Sequence, residues 1–468
     1  MMKRYIPYLF IFLGMAANAQ EDSLETLTFR DFLILVKENH PIVKQANLLT
    51  ETGAAKLLKA RGGFDPKIEV DFDQKVFKET EYYNLLNATF KIPTWYGIDL
   101  KGQFEDNDGY YLNPQNTVPK NGLYTAGISA SLGQGLWIND RMTTLRQAKI
   151  YSRQAEADLQ IAVNTVLYQA SITYFEWLQA YKKTKLYERF LENSQVRFRG
   201  IKSSALAGDK PLIDTTEATI SVQSRALNLR EAQLDYLKSK LELSNFLWVG
   251  NNIPVELQDG IFPQDDLDLI IDEVLNTTGF DLQNFQLEEH PKIRSLNYKI
   301  EALQLERQLK ANSLLPVIDL NYNFITSEAD NLESFYTQNY KAGLRFKMPL
   351  FLRKERGDLK LAKLKVQNSE FDFANSKLEL QNKLKAVTKE LQVLKEQNEL
   401  AAELVNNYET MLYAEERKYQ VGESSIFLIN TRELKLIDSQ LKQIEITNKY
   451  YKVKANLFKT LVTNPDSI

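Results

Sequence analysis

The chain reads as one unit written twice, and this constrains its fold more than any composition value does. A shift of 250 sets His40-Pro41 on His290-Pro291 and Pro66 on Pro316. The residues after those prolines agree in character, KIEVDFD at 67–73 against VIDLNYN at 317–323. Further on the offset becomes 216, placing Tyr124, Ala126 and Gly127 on Tyr340, Ala342 and Gly343. It then settles at 214 without a gap, so that LRQAK (145–149) overlies LKLAK (359–363), Gly208 overlies Gly422 and Leu247 overlies Leu461. The repeats are bounded at 20–248 and 265–468, with a linker at 249–264 where NNIP and DGIFP supply loop signals.

Most of each repeat is patterned for long paired helices. In the second, Leu380, Leu384, Val387, Leu391, Leu394, Ala401, Val405, Tyr408 and Leu412 keep a 4–3 spacing in which only Asn398 is polar. After Gly422 the pattern resumes through Leu434, Ile437, Leu441, Ile444, Tyr451, Ala455, Phe458 and Val462. A sustained 3.5-residue period specifies supercoiled helices packed knobs into holes, whereas a helix lying on a globular core drifts toward 3.6. The spacing predicts helical hairpins over 139–248 and 353–462. At 1.5 Å per residue a helix over 139–205 is about 100 Å long. The return helix with the shorter helix after a His-Pro (41–62 or 291–313) covers about 91 Å, so one unbroken helix can pair with two stacked end to end. The expected shape is a rod.

Between the first helix and the long helix of each repeat the period changes to two. Ile68, Val70 and Phe72 alternate with acids, and the same alternation runs through Leu86–Ile92, Tyr124–Leu132, Ile318–Phe324 and Tyr340–Met348. Strands are therefore expected over about 66–132 and 316–348. Segments of about ten residues, apolar on one face and polar on the other, suit a transmembrane barrel, although a half-buried soluble sheet shares the pattern. Tyr82, Tyr83, Trp95, Tyr96, Tyr110, Tyr111, Tyr124, Trp137 and Tyr336 cluster near segment ends, as membrane-interface anchors do. Two strands per repeat give four per chain, too few to close a barrel, so closure demands an oligomer, and three chains would give twelve strands. From Pro66 to Tyr124 is 58 residues and from Pro316 to Tyr340 only 24, so the first repeat carries 34 more. FKIPTWYGIDLKGQFE (90–105) reads as a hairpin turning at Pro93-Thr94-Trp95, either two more strands or an external loop.

The N-terminus, MMKRYIPYLFIFLGMAANAQ, has the positive start, short apolar run and small-x-small cleavage signal of a secretory signal peptide over 1–19. Losing Lys3 and Arg4 takes the formal charge from -3 to -5, which gives no reason to expect nucleic acid as a partner. With no cysteine there is no disulfide and no lipid-bearing cysteine, and no later stretch is long and apolar enough for a spanning helix. If such a chain enters a membrane, it must do so with strands.

Signal peptide, duplicated unit, strands, heptad helices and a glycine at each hairpin end together resemble the TolC family of outer-membrane efflux proteins. The fold class this implies is mainly α with a β-barrel part: a homotrimeric α-helical barrel of long coiled-coil hairpins, continuous with a transmembrane β-barrel. The resemblance further implies an outer membrane location in a Gram-negative-type cell, with a long periplasmic extension. A periplasmic adaptor (membrane fusion) protein and an inner-membrane transporter are the implied partners, and exported drugs, metal ions, small molecules or proteins the cargo. The hairpin ends, LAGDKPLIDTTEA (206–218) and QVGESSIFLINTREL (420–434), match the periplasmic mouth. There Gly208, Lys210, Pro211, Gly422, Ser424 and Ser425 are expected to dock the adaptor. The family narrows its mouth with aspartates past the second-repeat glycine. Here those positions are Leu428 and Thr431, and their first-repeat counterparts Asp214 and Glu217 are the acidic pair, either a cation-attracting ring or ordinary first-turn charges.

An enzyme would need an activated nucleophile, a metal cluster or a histidine in a pocket. His40 and His290 are the only histidines, each explained as a helix entry by the proline that follows, Pro41 and Pro291. No catalytic, metal or cofactor site is expected. A non-channel periplasmic or surface coiled-coil scaffold is the remaining alternative, and it has no use for lipid-facing strands.

Overall fold

The computed structural model describes residues 25–250, 252–328 and 337–463. In chain order its elements are β1 (Glu25–Leu27), α1 (Phe29–Asn39), α2 (Pro41–Arg61), β2 (Lys67–Phe77), β3 (Thr80–Pro93), β4 (Ile98–Asp108), β5 (Leu123–Ser131), α3 (Asp140–Leu206) and α4 (Leu212–Ser244). Then follow β6 (Trp248–Val249), β7 (Ile253–Pro254), β8 (Ile261–Pro263), α5 (Ile271–Val274), α6 (Pro291–Asn312), β9 (Val317–Thr326), β10 (Tyr340–Lys347), α7 (Arg353–Gln420) and α8 (Ile426–Leu461). The signal segment and Tyr336 lie outside the described residues. Among the described residues no helix is long and apolar enough to cross a membrane. The chain falls into two compact units: Met1–Val36, Ala170–Val274 and Gln397–Tyr451 form one, and Lys37–Gln169, Leu275–Glu396 and Lys452–Ile468 the other.

The first unit is built on an aromatic core where the chain start meets the middle of α3. Phe29, Phe32, Tyr174, Phe175 and Trp177 are fully buried, with ring centroids 5.0–5.5 Å apart for Phe29 against Phe175 and Tyr174, and for Phe32 and Trp177 against Tyr174. β1 pairs in parallel with β8, and the Tyr174 hydroxyl fastens both strands together at their C-terminal ends. It donates to the Leu27 carbonyl at 2.7 Å and accepts from the Gln264 N–H at 3.0 Å. Burial raises the Tyr174 phenol well above its ordinary value, so it stays a neutral donor.

Along α7 the buried stripe is Leu380, Leu384, Val387, Leu394, Ala401 and Val405, with half-buried Leu391, Asn398, Tyr408 and Leu412 in the remaining slots. This is the 3.5-residue seam read from the heptads. In the first unit Val405, Tyr408 and Leu412 pack on Leu186 and Phe190 of α3 and on Leu436 and Ile437 of α8. One heptad slot is corrected: Leu434 is exposed, and Glu433 beside it takes the buried position. Counting back four from Ile437 rather than three gives this phase, because a seam alternates steps of three and four.

The second unit contains one six-stranded sheet in the order β10-β9-β5-β4-β3-β2, every neighbouring pair antiparallel. The extra 34 residues are thus largely strand. β3 and β4 form a hairpin in which the Thr94 N–H bonds the Ile98 carbonyl at 2.9 Å. Gly97 turns it at φ 62, where a Cβ would run into the Gly135 carbonyl. The register shows why both segments are strands of this sheet and not an external loop. Directly paired residues share a face. Phe72–Leu86, Val70–Ala88–Phe104–Tyr124 and Ile68–Phe90 continue through Leu100–Ile128–Tyr322–Ala342 and Ala130–Leu320–Leu344. That face is apolar across all six strands over most of its height, with Gln74, Asn84, Asp106, Asp108 and Thr326 as exceptions at one end. The opposite face is mostly polar, with Glu69–Thr89–Gln103–Thr125, Asp71–Asn87–Glu105, Lys101–Gly127–Asn323–Lys341 and Ser131–Asp319–Arg345, and takes Leu85, Leu123, Val317 and Ile325 as its apolar members. Strands of 8–14 residues match the roughly 9–11 needed to cross a bilayer when tilted.

Aromatic residues gather at both ends of this sheet. Tyr82 lies 4.6 Å from Tyr111 and 6.1 Å from Phe77 by ring centroid at the end with the β2–β3 turn, and Tyr124 faces Phe104 at 4.8 Å. At the helix end Trp95 stacks on Phe64 at 5.5 Å, while Tyr96 and Trp137 are exposed. The starts of α3 and α7 and the ends of α2 and α6 all belong to this second end, tied by Gln147 to the Ala302 carbonyl (2.9 Å), Asn312 to the Ile138 carbonyl (2.8 Å) and Lys365 to Glu306 (3.1 Å).

Both histidines cap helices in the same way. His40 and His290 take extended backbone, and each Nδ1 accepts the N–H two residues on, from Ile42 and Lys292, at 3.2 Å. Pro41 and Pro291 fill the first helical position, where no N–H is needed. The His290 Nε2–H also donates to the Thr460 carbonyl at 2.9 Å, which fixes the neutral Nε2–H tautomer. Burial lowers its pKa from the ordinary 6.5, so below that value the unfolded chain holds a proton that the folded chain refuses. Stability therefore falls as pH drops through this window. Thermal melts between about pH 7.5 and about pH 5 should show that loss, and His290→Asn, which keeps a capping acceptor, should flatten it. An unchanged slope in the variant would sink the assignment.

Candidate functional site: the ends of the helical hairpins

The two hairpin ends are built alike and belong to the first unit. After α3, the Gly208 N–H bonds the Ala205 carbonyl at 3.1 Å and the Asp209 N–H bonds Ser204 at 2.9 Å. After α7, Gly422 bonds Tyr419 at 3.1 Å and Glu423 bonds Lys418 at 2.9 Å. Each is a Schellman motif, and it needs the left-handed residue that Gly208 (φ 84) and Gly422 (φ 82) supply. Pro211 leads into α4 with extended backbone. Ser425 Oγ accepts the Leu428 N–H at 3.3 Å to start α8, and Ser424 donates to Glu415 at 2.6 Å. That hydrogen bond, helped by Arg432, lowers the Glu415 pKa. Lys210 lies over the Tyr419 ring at 4.6 Å and so links one tip to the other. Leu206, Leu212, Ile213, Val421 and Phe427 stand exposed around both turns.

The four mouth candidates divide between two helices. Asp214 and Glu217 are half-buried in the first turns of α4. Leu428 is exposed, and the Thr431 hydroxyl donates to the Phe427 carbonyl of its own helix at 2.8 Å. Between these segments runs a hydrogen bond from Asn430 Nδ2 to Glu217 Oε1 at 3.2 Å. Below it Ile201, Ala218 and Ile426, with Phe198, close an apolar layer.

A charge cluster not read from the sequence lies next to these groups. Glu433 of α8 is 1% exposed and receives Arg197 of α3 at 2.9 Å and Arg225 of α4 at 3.3 Å. Arg197 also reaches Glu416 of α7 at 3.5 Å, so all four helices are joined. Two guanidinium groups against two carboxylates leave the cluster neutral, the condition under which charge is tolerated in an interior. The sequence signal was there: Ala218, Arg225, Ala232 and Ser239 are the buried α4 positions at seven-residue spacing, and Arg225 is the one charge among them. Among the described residues no group of three or more His, Cys, Asp or Glu side chains could hold a metal ion. Removing the central carboxylate strands the buried Arg225 and leaves the half-buried Arg197 with Glu416 alone. Glu433→Ala is expected to destabilise by roughly 3–5 kcal/mol, while the rim variant Glu416→Ala should cost about 1 kcal/mol or less. Thermal unfolding midpoints of the two variants check the contrast.

Comparison with known proteins gives this arrangement a context. Residues 284–461 match the model of the outer membrane efflux protein family. No curated protein matches the chain. Among solved structures, VceC, an outer membrane protein of Vibrio cholerae, is 13% identical, with 93% of this chain and 96% of that one covered and a TM-score of 0.65. The CmeC outer membrane channel of Campylobacter jejuni is 15% identical over 92% of this chain and 85% of that one, TM-score 0.63. The MtrE outer membrane channel of Neisseria gonorrhoeae is 12% identical over 93% and 89%, TM-score 0.64. Residues 284–461 thus carry the outer membrane efflux protein pattern, 92–93% of the chain shares its fold with outer-membrane channels, and the resemblance to the TolC family stands.

Proposed function

We propose that the protein is the outer-membrane exit duct of a tripartite efflux or secretion system. It is a passive homotrimeric channel that takes cargo from an inner-membrane transporter and a periplasmic adaptor. The observation that carries this reading is the six-stranded sheet, apolar on one face from edge to edge and polar on the other. A coiled-coil scaffold in water has no use for such a face; a barrel wall between lipid and an aqueous lumen requires it.

The helices support the oligomer. On α4, Ile213, Ile220, Leu227, Leu234 and Leu241 recur every seven residues and are all exposed in the single chain. On α7, Leu364, Phe371 and Leu378, then Val393, Leu400 and Leu404, form a second exposed stripe beside the buried one. Apolar seams at heptad spacing fit the knobs-into-holes packing of further copies. At the tips the exposed Leu206, Leu212, Val421 and Phe427 flank the capped turns, and there the adaptor docks through Gly208, Lys210, Pro211, Gly422, Ser424 and Ser425. Asp214 and Glu217, repeated in three copies, supply the acidic ring of the mouth; Leu428 and Thr431 add no charge to it. The transporter sets the cargo, whether small molecules, drugs, metal ions or proteins.

Membrane fractionation and planar bilayers test the reading. The mature protein should stay in outer membranes through a high-salt wash, leave them only with detergent, and give discrete single-channel steps. Release by salt alone, with no conductance from the purified protein, would return it to the scaffold class.

A further inference from the structure

The two ends of the sheet differ in charge. Two stretches that join it to the helices are basic. Residues 56–67 carry Lys56, Lys59, Arg61 and Lys67 against Asp65, and residues 347–360 carry Lys347, Arg353, Lys354, Arg356 and Lys360 against Glu355 and Asp358. At the far end the balance reverses. Residues 73–84 hold Asp73, Glu79 and Glu81 against Lys75 and Lys78, and residues 105–122 hold Glu105, Asp106 and Asp108 against Lys120 alone.

Along the second basic stretch, apolar and cationic groups come in a fixed order. β10 gives Leu344 and Phe346 to the apolar face of the sheet, and the alternation runs on past its end through Met348 and Leu350. Leu350 is 93% exposed and Phe351 69%. Arg353, Lys354 and Arg356 follow directly in the first turn of α7, all three exposed. The Arg353 guanidinium lies 5.0 Å from the Phe351 ring. Among the described residues none of the three makes an ion pair, and Asp358 turns to Lys310 of α6 at 3.9 Å. Their position costs α7 stability, because cations at a helix start oppose its dipole. Near the opposite edge of the sheet the end of α2 repeats the combination, with Leu58 exposed between the exposed Lys56, Lys59 and Arg61.

Resting on the duct reading, which sets this end of the sheet at the periplasmic leaflet, we propose that the start of α7 is a binding surface for anionic phospholipid. The acyl chains lie against Met348, Leu350 and Phe351, continuing the lipid-facing side of the sheet. The lipid phosphates sit on Arg353, Lys354 and Arg356. Apolar side chains alone would accept any lipid. The unpaired cations select, because a zwitterionic headgroup brings its own cation to its phosphate, whereas a headgroup of net negative charge does not. Guanidinium groups add a fork that matches phosphate oxygens. The occupant supplies the negative charge that the helix start lacks, which offsets the cost of placing cations there. At the far end, where acids outnumber cations, the same headgroups are repelled.

The mature protein in neutral detergent is titrated with dioctanoyl phosphatidylglycerol and, in parallel, with dioctanoyl phosphatidylcholine, and binding is followed by calorimetry. The anionic lipid should bind at least about tenfold more tightly, since each cation near a charged surface contributes about a factor of five. Raising the salt should shrink that preference. Arg353→Gln, Lys354→Gln and Arg356→Gln together should abolish it and leave phosphatidylcholine binding unchanged. Lys75→Gln with Lys78→Gln, at the far end, should keep it. Arg353→Lys with Arg356→Lys should retain most of it, which separates lost charge from a damaged helix start. Equal affinity of the wild type for both lipids, an undiminished preference in the triple variant, or inorganic phosphate competing as well as the anionic lipid overturns the lipid surface and leaves the duct reading intact. A wild-type protein that salt alone frees from membranes overturns both.

Discussion

Backbone hydrogen bonding in hydrocarbon is the constraint on which the rest of this architecture depends. A strand edge in lipid leaves N–H and C=O groups without water or partner, at several kcal/mol per group. A sheet with an apolar face across six strands cannot remain open there. Six strands are also too few to curl onto themselves, since small barrels start at about eight. On the proposed duct reading the chain borrows strands, and a copy of itself is the source always present at the right stoichiometry. Ring closure then dictates what the helices must do, because helices leaving the same end of the sheet are carried round the ring with it. The exposed heptad stripes of α4 and α7 are what such helices need.

The same logic of burial explains the Glu433 cluster. In a coiled-coil seam an apolar residue in every slot would stabilise the hairpins but would fit several registers and several neighbours equally well. One carboxylate held by two arginines from different helices has a single good arrangement, because displacement by one turn leaves a buried charge unpaired. Its place is close to the tips, well along the helices from the aromatic core at Phe29 and Tyr174. A bundle needs fixed register most where other packing restrains it least.

How much of this was legible in the sequence follows from which patterns are local. Period-two and heptad spacing sit along the chain, so the strands and long helices of both halves could be read, as could the glycine at each hairpin end. The His-Pro pairs were read as helix entries, and the caps at His40 and His290 follow from the same two residues. What was not legible depends on partners far away in sequence. Glu433 looked like one more surface acid, and Leu434 beside it took the seam slot, because a step of three and a step of four are both allowed at any point of a heptad. β1 has only three residues and no periodicity, and its pairing with β8 depends on Tyr174 more than a hundred residues later. Whether residues 90–105 were strand or loop could not be settled either, since alternation alone does not say which sheet a segment joins. Register settled it: Ala88 opposite Phe104 and Phe104 opposite Tyr124 continue one apolar face.

The form of that enlargement follows from direction. On the duct reading a strand crosses from one side of the membrane to the other, so a chain gaining a single strand would emerge on the wrong side, with α3 starting outside. Only a hairpin returns the chain to the end where the helices begin. β3 and β4 meet that condition, turning at Thr94–Gly97 beside the start of α3, where Arg141 pairs with Asp99 at 2.9 Å and Asn139 donates to the Trp95 carbonyl at 3.1 Å. The added pair keeps β2 and β5 antiparallel to their neighbours, so the edge strands β2 and β10 still run in opposite senses. A barrel assembled from identical chains can thus widen only in steps of two strands per copy. For three copies that step is six strands, which takes twelve to eighteen with nothing allowed between under strict symmetry.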